Sequence, residues 1–186
     1  MKKWLALITQ TVAAISSILI ASRILFRFFS FKYFRIEVSG VSMAPALYSS
    51  DYLIVEKSNN TNSHQPGSIV VLQDNNSNIL LKRIIGIPGE SIQIGDNVRI
   101  NGKLLIENYA WGVTITPRYR GVNKLEKDEY FLIGDNRSAS KPDSRDFGPV
   151  RKKRIIGNVI FRYWPPSRIG KIKPKIRKFE PIDQKN

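Results

Sequence analysis

Ser91-Ile92-Gln93-Ile94-Gly95-Asp96-Asn97-Val98-Arg99-Ile100-Asn101-Gly102-Lys103-Leu104-Leu105-Ile106 is the stretch that decides the fold. Apolar residues alternate with polar ones over Ile92–Ile94 and Val98–Ile100, the period of a half-buried strand. Gly95-Asp96-Asn97 and Asn101-Gly102 break the runs. Asn101-Gly102 predicts a two-residue hairpin, because that turn needs a left-handed backbone at both central positions and Asn and Gly tolerate it. Outward from this stretch, short β-branched runs recur at Ile36–Val38, Tyr52–Val55, Ile69–Leu72, Ile79–Ile87, Tyr130–Ile133 and Ile155–Tyr163. No helical period intervenes and no internal repeat is visible. Such spacing implies an all-β body over residues 37–168, a barrel or sandwich.

Upstream the pattern changes. Trp4 to Ser22 is an uncharged run of 19 residues, bounded by Lys3 and Arg23. As a helix it would span roughly 28 Å, the thickness of a bilayer core. A cleaved leader would carry a small-x-small site after a shorter apolar core, and Arg23-Ile24-Leu25-Phe26-Arg27 is a poor one. Residues 1–23 therefore read as a transmembrane anchor. Residues 24–36 interleave Phe26, Phe28, Phe29, Phe31, Tyr33 and Phe34 with Arg27, Lys32 and Arg35, a composition suited to a membrane-interface linker. Residues 169–186 read as a flexible basic C-terminal tail.

The net charge of +15 sits at the ends: +6 over residues 1–36, −1 over 37–150 and +10 over 151–186. The balanced middle argues against a nucleic-acid partner, and basic ends beside an apolar span suit an anionic lipid bilayer. There is no cysteine and one histidine, His64, which lies in the polar run Asn59–Gly67 and reads as a surface-loop residue. Disulfides and thiol chemistry are thereby excluded, and a conventional zinc site is argued against. No metal or cofactor is expected.

Three segments carry chemistry. They are Gly40-Val41-Ser42-Met43-Ala44-Pro45, Lys82-Arg83-Ile84-Ile85-Gly86-Ile87-Pro88-Gly89-Glu90, and Gly134-Asp135-Asn136-Arg137 continuing through Ser138, Ser140 and Asp143-Ser144-Arg145. Ser42 follows a glycine turn, where backbone N–H groups can face a ligand. A serine nucleophile needs a base, and with no histidine placed to serve, lysine remains. Lys82 has the most apolar setting of any lysine in the middle segment, and burial there would lower its pKa. Strand alternation puts Lys82 on the face of Leu80 and Ile84, with Arg83 opposite and free to pair with a carboxylate. Gly-x-Ser-Met-x-Pro alone arises in about one chain in a thousand by chance.

Together these segments resemble the boxes of the type I signal peptidases, over most of the chain. The resemblance implies an all-β catalytic domain with an N-terminal transmembrane helix. It implies a serine endopeptidase with Ser42 as nucleophile, Lys82 as general base and the backbone N–H near Ser42 as oxyanion donor. Ser140 would orient the Lys82 amine, and Asp135, Asp143, Arg83 and Arg145 would supply ion pairs. Substrates would be exported preproteins with small residues at −1 and −3. The protein would sit single-pass in a bacterial cytoplasmic membrane with its catalytic domain on the outer face. Flanking charges by themselves point slightly the other way, with Lys2, Lys3 and the amine against Arg23, Arg27, Lys32 and Arg35.

The chain departs from the family pattern at Gly40, where some relatives carry a hydroxyl, at Ala46 and at Ser50-Asp51. An extra residue in Lys141-Pro142 leaves open whether Ser140 or Ser138 meets the lysine. Two other readings stand beside the first: a specialised peptidase for a pilin or conjugation substrate, and a self-cleaving repressor-like Ser-Lys protease. The latter would need a DNA-binding segment where this chain has an apolar span.

Overall fold

The structure is a computed structural model that describes residues 2–59, 63–74, 77–114 and 124–181. It divides into two units, residues 1–34 and 35–186. The first is essentially one helix, α1 (Lys2–Lys32). Its stretch Gln10–Lys32 is long and apolar enough to cross a membrane. The helix runs on through residue 32, into the segment read from sequence as an interface linker, because no Gly or Pro interrupts it. Phe26, Phe29 and Phe31 along it are exposed.

The second unit is β-rich, in line with the sequence reading. One 8-stranded sheet has the order β1 (Tyr33–Glu37), β2 (Tyr52–Lys57), β10 (Ile155–Trp164), β3 (Ile69–Gln73), β4 (Ile79–Gly86), β8 (Glu129–Ile133) and β9 (Val150–Arg151), with β11 (Gly170–Lys171) also on β10. A 4-stranded sheet has the order β12 (Lys178–Phe179), β7 (Lys103–Ile106), β6 (Val98–Ile100) and β5 (Ile92–Ile94). The predicted hairpin joins β6 to β7, with φ of 51° at Asn101 and 78° at Gly102.

The core lies on both faces of β4 and β8. Ile84, Tyr130 and Leu132 pack with Val70, Leu72, Val150 and Ile155 on one side. Ile85, Phe131 and Ile133 pack with Ile92, Val98, Ile100 and Leu105 on the other. Burying each large aliphatic side chain contributes about 1.5–3 kcal/mol. The central strands are thus held from two sides, which makes them a rigid support for whatever they carry.

Two sequence expectations are overturned. His64 is buried, 4% exposed, not a surface residue. Its Nδ1 is 2.9 Å from Asn158 Oδ1 and its Nε2 is 3.2 Å from Ser58 Oγ. Tyr130 meets it edge-on, and burial lowers its pKa. Polar composition had suggested solvent, but Asn158 and Tyr130, which cover it from β10 and β8, lie far away in sequence. Of the same run, residues 60–62 lie outside the described residues.

The C-terminal tail is not a flexible arm over residues 170–180. Lys171 pairs with Phe161, and Phe179 with Leu105. Between these strands Lys175 N–H donates to Gly67 O at 3.1 Å. The backbone groups of a basic, proline-containing segment pair as well as any others when a sheet edge is near. Residues 182–186 lie outside the described residues.

Candidate active site

Ser42 rides on an excursion closed at its base by Val38 N–H to Asp51 O at 2.8 Å and Ser50 N–H to Val38 O at 2.9 Å. Met43, Ala44 and Leu47 are buried and anchor it. Asp51, itself 1% exposed, accepts from Tyr48 N–H and takes ion pairs from Arg162 and Arg168 at 3.2 and 3.0 Å. Sequence reasoning missed this tie, since Arg162 and Arg168 lie more than a hundred residues on. Ser42 remains half-buried, with its carbonyl accepting from Asn136 N–H at 3.0 Å. Among the described residues its own N–H has no hydrogen-bond acceptor.

Lys82 stands on β4 opposite Val70 of β3. It is 2% exposed. Nζ donates to Ser140 Oγ at 3.0 Å, and Ser140 Oγ donates onward to Asp143 Oδ2 at 2.7 Å. Burial pulls the lysine pKa down to about 8, with Asp143 pulling it up and Arg145 pushing it further down. Ser138 is exposed and lies beside Gly112 instead, so of the two serines Ser140 is the one on the lysine.

Beyond Lys141-Pro142 the chain enters a short helix, α2 (Ser144–Phe147), capped by Asp143 with Asp146 reciprocating. Ser144 Oγ accepts from Leu132 N–H at 2.9 Å and so pins α2 to β8. Asp143 Oδ1 takes both the N–H and Nε–H of Arg145 at 3.0 Å. Burial works to raise the Asp143 carboxyl, but the Arg145 guanidinium, the Ser140 hydroxyl and the Arg145 N–H carry it below the usual carboxylate range. Arg145 also donates to Ser140 O at 2.7 Å and Arg137 O at 2.9 Å, so this one side chain shapes the whole turn.

Arg83 points to the other face of β4, as alternation requires. It pairs bidentately with Asp135, with Nε to Oδ1 at 2.7 Å, and gives Gly67 O a third bond at 2.6 Å. Arg137, quoted in the sequence motif without a role, is buried and pairs with Glu107 and with Thr114 Oγ1 at 3.0 Å. Glu107 sits in no recognisable motif. Gly134 must be glycine here: a Cβ would fall on Ser140 Oγ and on the Ser42 carbonyl, where the serine excursion comes against the third segment.

Ser42 and Lys82 line one cleft of about 430 Å³, with Ile36, Val38, Leu80 and Ala139 among its walls. β1 and β4 are far apart in the strand order yet share this cleft, so the sheet coils strongly. β8 pairs with β4 only from Arg83 onward. Among the described residues, the edge of Ile79–Lys82 facing away from β3 has no strand partner. A half-buried serine, a desolvated lysine and a free strand edge can bind an extended peptide and attack its carbonyl.

Known proteins are similar to this chain in sequence. The family described as signal peptidase, peptidase S26, matches residues 8–164. A signal peptidase I of Leptolyngbya laminosa is 39% identical over 145 residues, covering 72% of this chain and 70% of that protein. A signal peptidase IB of Staphylococcus aureus is 32% identical over 190 residues, 92% of this chain and 96% of that one. A crystal structure of a signal peptidase I from Enterococcus faecalis covers 52% of this chain and 97% of its own, with 27% identity and a TM-score of 0.44. With its whole β-rich unit up to the end of β10 inside the matched residues, the chain belongs to the signal peptidase family, peptidase S26, whose signal peptidase I members are serine endopeptidases.

Proposed function

We propose that this protein cuts exported preproteins at the end of their N-terminal signal peptides, with Ser42 as nucleophile and Lys82 as general base. The observation that carries it is the buried Lys82 amine, held by Ser140 Oγ at 3.0 Å in the cleft that Ser42 lines. Neutral Lys82 takes the Ser42 Oγ proton as oxygen bonds to the scissile carbonyl carbon. The Ser42 N–H, free of other partners among the described residues, is the backbone donor for the oxyanion. The tetrahedral adduct collapses to an acyl-enzyme, and the leaving amine takes the proton from Lys82. Water, activated by Lys82 in turn, releases the signal peptide. Asp143 and Arg145 hold Ser140 against the lysine, and Arg83 with Asp135 locks β4 from the other face.

An extended substrate laid along Ile79–Lys82 sends its −1 and −3 side chains to the same side, toward one wall of the cleft. That favours small residues at both. Residues 1–23 anchor the protein single-pass in the cytoplasmic membrane and residues 24–36 lie at its interface. The catalytic domain faces outward, where signal peptides emerge, and the lipid bilayer is a partner.

Purified in detergent and given a preprotein with an Ala-x-Ala site, the protein should cut after the second Ala. Leu at −1 or −3 should lower kcat/KM more than tenfold. Equal rates on the Leu variants, or cleavage elsewhere, would overturn the substrate reading and turn attention to a dedicated pilin-type substrate. The pH profile is a separate prediction. Only neutral Lys82 is competent, and its pKa is about 8. Log kcat/KM should therefore climb with unit slope below pH ~8 and level off above it. A limb near pH 6.5, where a histidine titrates, would overturn the lysine assignment.

A further inference from the structure

The segment 170–180 lies beyond the residues matched to the family, and it is tied to the strand that carries Lys82. The β4–β8 ladder shifts register between Ile84 and Gly86, which makes Ile85 a bulge residue, three positions after Lys82. The Ile85 carbonyl accepts from Arg177 Nη1 at 3.1 Å. The same guanidinium pairs bidentately with Glu90, with both contacts at 2.7 Å. Glu90 in turn accepts from Ile87 N–H at 3.0 Å and closes the turn that ends β4.

A second tie lies two residues earlier. Gly67 O accepts both Lys175 N–H, at 3.1 Å, and Arg83 Nη1, at 2.6 Å. Gly67 has φ of +79°, and a Cβ on it would fall on the Lys175 carbonyl oxygen. The backbone there is shaped to admit the segment. Outside these ties, Ile172 N–H donates to Ile160 O at 2.9 Å, and Glu180 N–H to Leu104 O at 3.0 Å. The segment thus runs from one sheet to the other and grips β4 on the way.

We infer that residues 170–180 form a strap that positions the Lys82 strand for catalysis, with Arg177 as its positioning residue. The inference rests on Lys82 being the general base. The strap does not touch Lys82. It fixes the bulge and turn that follow Lys82 and the carbonyl that holds its neighbour Arg83. Without it, β4 loosens at its C-terminal end and water reaches the lysine amine, which keeps its proton to higher pH.

The charges with the largest effect on Lys82 are Asp143, Arg145 and Asp146, all on or beside α2. Arg83 faces the other side of the strand, and neither Arg177 nor Glu90 is among the charges with the largest effect on the amine. A change of about one pH unit in the lysine's titration on removing Arg177 would therefore report chiefly position and hydration.

The test compares the full chain with Arg177→Ala, Arg177→Lys and Lys82→Met, in detergent, by kcat/KM from pH 6 to 11 and by Tm. Arg177→Ala is expected to move the rising limb up by about one pH unit. Activity would then fall about tenfold at pH 7 and converge with wild type above pH ~10. Arg177→Lys, which keeps one donor, should recover part of the shift. A uniform loss at every pH with the limb in place would make the strap merely structural and overturn the inference. If Arg177→Ala does not fold, an unmoved limb in Arg177→Lys overturns it equally. An inactive Lys82→Met with an unmoved Arg177→Ala limb removes the strap alone. An active Lys82→Met removes the general-base reading beneath it.

Discussion

Ser42→Ala and Lys82→Met are each expected to lower kcat by about 10³–10⁶-fold while leaving the fold intact. A nucleophile and its base act as one unit, so the double variant should be little worse than either single one. The measurement is single-turnover cleavage of an Ala-x-Ala preprotein, with Tm as the fold control. Residual activity above about a hundredth of wild type in Ser42→Ala would mean that another group attacks.

The stability arm separates this pair from ordinary damage. Lys82 titrates near 8 in the folded protein against 10.5 unfolded. At pH 7 the folded state bears an ionised, buried amine, a cost of about 3 kcal/mol from the pKa difference. Methionine has nearly the same volume and no charge, and it forfeits one hydrogen bond from Nζ to Ser140, worth about 1 kcal/mol. Lys82→Met should therefore be more stable than wild type by about 1–2 kcal/mol at pH 7. Between pH 8 and 10.5 the unfolded chain holds the proton that the folded one has lost, so wild-type stability rises and the gap closes. A variant that is dead yet more stable is the mark of a residue kept for chemistry. A Lys82→Met protein less stable than wild type at pH 7 would refute the desolvation argument.

Breaking the Arg83–Asp135 pair is expected to have the largest effect on stability. Both side chains are essentially sealed, 1% and 0% exposed. Asp135→Ala leaves a buried guanidinium without its carboxylate, a loss of about 3–5 kcal/mol. For a domain of this size that lowers Tm by about 10 °C or more. Arg83 also lies over the Tyr109 ring at 4.7 Å and bonds Gly67 O, so Arg83→Ala loses packing as well as charge. By contrast Arg177 and Glu90 are each 14% exposed, and parting them should cost closer to 1 kcal/mol. Replacing both partners, as Arg83→Met with Asp135→Leu, should recover much of the stability. Urea denaturation of the four proteins decides it: a loss under 1 kcal/mol in Asp135→Ala would show that the pair does not hold β4.

The strands were legible because they depend on short-range signals. Short apolar, β-branched runs marked β3, β4 and β8 within a residue or two, alternation marked β6, and Asn101-Gly102 announced its turn through backbone preferences that two residues carry by themselves. The three chemical segments were also readable, because each is a local run of unusual composition. Arg83's turn away from Lys82 followed from alternation alone.

What only the tertiary structure decided lies between residues distant in sequence. Ser140 rather than Ser138 meets Lys82 because Asp143 and Arg145, at the start of an α2 pinned to β8, hold Ser140 by its hydroxyl and its carbonyl. His64 is buried because Asn158 and Tyr130 come to it from β10 and β8, and composition judged it only by its polar neighbours. The strap escaped notice for a deeper reason. Apart from Arg177, its hold on Gly67 and on the sheets is made by backbone N–H and C=O groups, which every residue but proline carries in full, and one arginine in a basic run makes no pattern. Sequence determined which segments could form strands and which side chains could do chemistry. Proximity, which sets burial, pKa and partners, came from the packing of the chain on itself.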